Sequence, residues 1–83
     1  MEQYVKRDRS MGARIRDCRK ARKWTQEQMI AKLQLVGCGM LRGTYGKIEA
    51  GLRHVTVFEL CAIATVLDTT PNDLLGFEQE KEG

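Results

Sequence analysis

No stretch of this 83-residue chain approaches the ~20 consecutive apolar residues needed to cross a bilayer, and no apolar leader segment stands at its start. A soluble, cytoplasmic protein without a membrane partner is expected. Histidine occurs once, as His54. With no Ser-His-Asp set, no glycine loop suited to cradling phosphate and no paired acids, little is left for catalysis, and no enzyme is expected. Cysteine occurs three times, as Cys18, Cys38 and Cys61, an odd number without C-x-x-C spacing. That pattern points to a reducing compartment rather than a disulfide-stapled scaffold, and the scatter of these residues argues against a metal site or any other cofactor. Strand alternation, internal repeats and low-complexity tracts are also missing, which leaves helices.

A hydrophobic content of 42% suffices, marginally, for the core of one small domain. The net charge is only +3, but its distribution is uneven. Nine Lys or Arg lie between Lys6 and Lys23 against Asp8 and Asp17, whereas Glu78, Glu80 and Glu82 face Lys81 near the other end. A basic stripe on a single cytosolic domain makes nucleic acid the first polyanion to consider. The chain divides into a polar, flexible or loosely docked arm (1–7), a folded domain (8–77) and an acidic tail (78–83) expected to fray.

Within the domain, apolar spacing predicts a first helix from Asp8 or Ser10 to Lys23, with Met11, Ile15, Cys18 and the Arg22 stem on one side. Thr25-Gln26-Glu27-Gln28 has the form of a capping box, opening a second helix that ends near Leu35, with Trp24 placed to staple its start. Val36-Gly37-Cys38-Gly39 reads as a turn. The stretch from Leu41 to Gly51 then divides on a helical wheel. Leu41, Tyr45 and Ile48 form a docking edge; Gly43, Gly46 and Lys47 point away, flanked by Arg42 and Thr44, and Gly51 offers a stop. Its internal glycines each cost about 1 kcal/mol relative to alanine, so this third helix needs its docking edge held against the first two. Thr56-x-x-Glu59 is a second capping box. It opens a fourth helix, to about Leu67, that is apolar on most sides and therefore expected to be central and buried. Pro71 at a first helical position starts a short fifth helix closed by Gly76.

Taken in order, Ile15-Arg16, Thr25-Gln26-Glu27-Gln28-Met29, Lys47-Ile48-Glu49-Ala50-Gly51, Glu59-Leu60 and Asp73-Leu74-Leu75 resemble the Cro/phage-repressor-like (XRE) helix-turn-helix family over about residues 11 to 76. The resemblance implies an all-α, five-helix, lambda-repressor-like DNA-binding domain whose second and third helices form the helix-turn-helix, working as a dimer on double-stranded DNA. It also implies roles residue by residue. Arg42, Gly43, Thr44 and Lys47 match positions that reach base edges; Arg42 and Lys47 have the donors for guanine. Gln26, Arg53 and His54 match positions that touch phosphates, and Glu49 matches a glutamate that pairs with an arginine of the first helix, here Arg19.

Two departures stand out. More residues lie between Leu33 and Met40 than in the family's tight turn, and Gly43 and Gly46 stand where relatives often carry probing side chains. The expected function is a sequence-selective transcriptional regulator, a repressor acting as a homodimer, with modest specificity that leans on Arg42, Lys47 and DNA shape. A second expectation is a protein-interaction module, such as an antitoxin-like partner, that kept the fold with weak DNA binding.

Overall fold

In the computed structural model, which describes residues 4–5 and 9–76, the elements run β1 (Tyr4–Val5), α1 (Arg9–Ala21), α2 (Gln26–Leu35), α3 (Arg42–Glu49), β2 (Val55–Thr56), α4 (Val57–Leu67) and α5 (Pro71–Leu75). No helix among the described residues is long and apolar enough to cross a membrane. The helical reading is correct in number and order; the missing piece is a two-residue antiparallel ladder, Tyr4 opposite Thr56 and Val5 opposite Val55. Two paired residues carry too little pattern to register as strand alternation. Part of the arm is thus anchored beside the start of α4. The acidic tail, and Phe77 with it, lies outside the described residues.

Local chemistry sets the helix boundaries. Both capping boxes form: Thr25 Oγ1 accepts from Gln28 N at 3.1 Å while Gln28 Oε1 accepts from Thr25 N, and Thr56 with Glu59 does the same. Each reciprocal pair satisfies two backbone donors that a helix start leaves open. After α2 the chain turns through Gly37 at φ 87°, and after α3 through Gly51 at φ 75°, left-handed conformations that glycine adopts without a steric penalty. The two helices are joined by Val36–Leu41, in which Cys38 is buried.

The core gathers Met11 and Ile15 of α1, Met29 and Leu33 of α2, Tyr45 and Ile48 of α3, Val55, Leu60, Ile63 and Leu67 around α4, and Leu74 of α5. α1 packs on α3, α4 and α5, and α2 packs on α3 and α4. At the α1–α3 crossing Gly12 is buried, and a Cβ there would overlap the carbonyl oxygens of Ile48 and Glu49. The lack of a side chain lets the two backbones meet. Arg22 closes the far end of α4, its Nη2 donating to Leu67 O at 2.7 Å. Trp24 lies beneath two cations, with Lys32 Nζ 4.5 Å and Arg22 Cζ 5.4 Å from the ring centroid.

Two expectations about the apolar edges need correcting. Leu41 is the N-cap of α3, with extended backbone, and is 77% exposed; leaving the helix rotates it off the wheel that placed it with Tyr45 and Ile48. The fourth helix is buried on one side only. Leu60, Ile63, Ala64 and Leu67 face the core, while Phe58 is 60% exposed and Cys61 and Thr65 are also open. Four short helices around it do not supply enough surface to cover the rest.

Candidate nucleic-acid interface

α3 is held by its inner face and bare on its outer one. Tyr45, Ile48 and Glu49 are buried, whereas Arg42, Gly43 and Lys47 are exposed and Thr44 is half-buried. Arg42, Gly43 and Lys47 therefore share an open surface. Arg42 Nη1 stands 3.8 Å from Glu27 Oε2 in an exposed pair that spans α2 and α3, and such a solvated pair holds the guanidinium only weakly. Nothing lies within 4 Å of where a Gly43 Cβ would stand, and a Gly46 Cβ would come no nearer than 3.7 Å to Gln26 Oε1. The centre of this face is a strip of backbone with cations at its ends.

The inner side is fixed by a buried polar cluster. Arg19 donates from Nε to Glu49 Oε2 at 2.7 Å and from Nη2 to Glu49 Oε1 at 3.0 Å, while its Nη1 reaches Trp24 O at 2.7 Å. One guanidinium thus ties α1, the α1–α2 turn and the end of α3 together. The fork geometry of arginine suits a carboxylate gripped at both oxygens. Gln26 completes the cluster, its Nε2 donating to Glu49 Oε1 at 3.0 Å. Burial pushes the Glu49 carboxyl upward, but the hydrogen bonds from Arg19 and Gln26, with the nearby Tyr45 hydroxyl dipole, together prevail and hold it below its ordinary value. The Tyr45 hydroxyl faces this carboxylate without a fully formed hydrogen bond, and burial beside the negative charge pushes the phenol far above its usual range. The Arg19–Glu49 pair expected from the sequence is present. Gln26 is in addition an internal strut, with one amide N–H already committed to Glu49.

Beyond α3 the loop folds back, Leu52 N donating to Lys47 O at 2.9 Å. Arg53 then meets Glu59 at both oxygens, 3.0 and 3.2 Å, and His54 O at 2.9 Å. Glu59 is also the acid of the α4 capping box, so one carboxylate orders both the helix start and the loop cation. Burial raises the Glu59 carboxyl; the Arg53 and Thr56 hydrogen bonds lower it further, leaving it below its ordinary value. His54 is exposed beside this pair. Cys38 lies close enough to Glu59 and Arg53 to feel both, and burial is the main cause of its raised thiol pKa.

Sequence reasoning missed Gly12 and the full role of Gln26. Gly12 stands seven residues before Arg19, two helical turns along the same side, and that spacing was the available signal. The three cysteines are dispersed, Cys18 half-buried, Cys38 buried and Cys61 exposed, and among the described residues no group of three or more metal-ligating side chains converges.

Comparison with known proteins agrees with this geometry. The chain is 30% identical over 69 residues to the HTH-type transcriptional regulator AnsR of Bacillus subtilis; the match takes in 83% of this chain and 55% of that protein. The chain thus spans little more than half the length of its relative. No solved structure matches it. The model of the helix-turn-helix domain family matches residues 10–75, from the first turn of α1 to the end of α5, and with the braced α2–α3 pair in place the chain belongs to that family.

Proposed function

We propose that the chain is a double-stranded DNA-binding transcriptional regulator of the cytoplasm, a repressor that acts as a homodimer on a two-fold related site. The observation that carries this reading is the outer face of α3: Arg42, Gly43 and Lys47 exposed on a helix whose opposite side is locked by Arg19, Glu49 and Gln26. In the proposed complex α3 lies in the major groove, Arg42 and Lys47 donate to guanine edges, and Thr44 meets a thymine methyl or a phosphate. Gly43 lets the backbone come close. Gln26, Arg53 and His54 lie toward the phosphates, Arg53 carrying its Glu59 partner with it. Reading helices of the two copies would enter successive grooves about 34 Å apart.

A face with two glycines has few donors, so discrimination of a cognate from a scrambled duplex should be modest. A ratio well below about 10⁵ is expected within the usual 10³ to 10⁷ span. The same scarcity of donors supports the second reading, a protein-interaction module with weak DNA binding. Selection from a random oligonucleotide pool, followed by titration of labelled protein with the selected duplex, tests the proposal. Amide shifts concentrated at residues 42–54 are the expected result; an undisturbed 42–54 stretch with changes elsewhere would remove it. A gel shift at low salt beside a pull-down separates the two readings.

A further inference from the structure

The Gln26 side-chain amide is locked in one orientation. Its Nε2 donates to Glu49 Oε1 at 3.0 Å, and Glu49 is itself gripped at both oxygens by Arg19. A carboxylate only accepts. Turning the Gln26 amide over would set its carbonyl against that negative charge, so the nitrogen faces Glu49 and the oxygen faces away from it. That oxygen, Oε1, stands beside α3 at Gly46, where an added Cβ would lie 3.7 Å from it. Among the described residues nothing hydrogen-bonds to Oε1, and the atom is not sealed from solvent. Arg42, Gly46 and Glu49 follow one another at steps of four and three residues, so they share one edge of α3. The start of α2 runs along that edge, Gln26 reaching Glu49 and Glu27 standing near Arg42. Gly46 has no side chain to screen Oε1, which leaves a fixed acceptor at the margin of the face that shows Arg42 and Lys47.

We propose that Gln26 is a specificity-determining residue of this interface, its Oε1 accepting a hydrogen bond from an exocyclic base amino group in the major groove, adenine N6 or cytosine N4. The proposal rests on the reading that α3 enters the major groove and adds a base contact made from α2. A carbonyl oxygen is repelled by phosphate, and in the major groove the donors are the amino groups of adenine and cytosine, whereas guanine and thymine present acceptors. A glutamine free to turn over would offer either group and discriminate little. The Glu49 lock removes that freedom, so guanine or thymine at this position sets acceptor against acceptor and leaves Oε1 unpaired. A lone acceptor does not distinguish adenine from cytosine, so both are tolerated there. Gly46 lies four residues after Arg42, roughly 6 Å along the helix, on the order of two base steps of about 3.4 Å. The amino group read by Gln26 therefore lies close to, but apart from, the guanine met by Arg42. The second N–H of Nε2 is left for the phosphate contact, and the two roles do not compete.

A cycle that removes each partner in turn tests the contact. The duplex is one selected by the wild-type chain from a random oligonucleotide pool. Each adenine or cytosine in it is replaced singly by an analogue without the amino group, purine for adenine and pyrimidinone for cytosine. Wild type and Gln26→Met, which keeps the length of the side chain and removes its polar atoms, are titrated with every duplex at one salt concentration, after a thermal melt has shown the variant folded. At one position the analogue should weaken wild-type binding about threefold to tenfold and leave Gln26→Met unaffected. Wild type should bind duplexes with adenine or cytosine at that position alike, and lose affinity with guanine or thymine there. Analogue losses equal in the two proteins at every position, or a Gln26→Met loss that is the same on selected and scrambled duplexes, would overturn the proposal and leave Gln26 a phosphate contact and strut. Those outcomes leave the placement of α3 standing. A wild-type chain that selects no duplex would remove both readings.

Discussion

Arg19 holds both oxygens of Glu49, at 2.7 and 3.0 Å, with both residues buried and thirty positions apart in sequence. The pair is the brace that sets α3 against α1. Replacing a buried pair with apolar residues is often neutral, but removing one partner strands the other. Glu49→Gln should therefore cost about 3 kcal/mol of unfolding free energy, read by urea denaturation. A cost below about 0.5 kcal/mol, the level of a surface substitution, would show that the pair does not brace the fold.

The same carboxylate gives stability a pH dependence. Glu49 and Glu59 are both held below the ordinary glutamate value in the folded chain. Their contribution is complete above the unfolded value of about 4.3 and is lost as pH falls below it through the depressed folded values. Denaturation midpoints should thus be flat from neutrality to about pH 5 and fall below about pH 4. Glu49→Gln should start lower at neutrality and fall less. Parallel curves for the two proteins would contradict the assignment.

Two glycines should respond to alanine with opposite signs. At Gly43 the added methyl meets open space, so helix propensity alone acts and Gly43→Ala should stabilise by about 0.5–1 kcal/mol. At Gly12 the methyl meets the carbonyls of Ile48 and Glu49, and overpacking should turn that gain into a loss of about 1–3 kcal/mol. Melting curves decide both.

Arg42 and Arg53 should behave differently on DNA. Arg42, weakly held by Glu27, should on conversion to alanine relax base preference by about 1–3 kcal/mol at one position. Arg53→Ala should weaken every duplex alike and lower the salt slope by about one. Titrations of cognate and scrambled duplexes at several salt concentrations separate the two. Equal losses on all sequences from Arg42→Ala would remove its base-reading role.

Leu41→Ser tests the corrected docking edge. At 77% exposure the change should stay within about 0.5 kcal/mol, whereas a residue of the docking edge would cost several times more on unfolding.

What the chain determined by itself was everything that depends on neighbours a few residues apart. Thr25 with Gln28 and Thr56 with Glu59 mark helix starts because a capping box closes within one turn. Tyr45 and Ile48 could be placed on the inner edge by helical period, and Arg19 with Glu49 could be paired through the family pattern. Tertiary structure decided what depends on backbones or side chains from distant segments meeting. It placed Gly12 beneath α3 and turned Gln26 inward to Glu49, whereas the Arg53–Glu59 pair, six residues apart, and the outward turn of Leu41 at the N-cap of α3 are local features that a helical wheel does not show. It also decided that α4 is covered on one side only, because the helical period shows where apolar residues lie while the number and reach of neighbouring helices determine which of them are shielded from water.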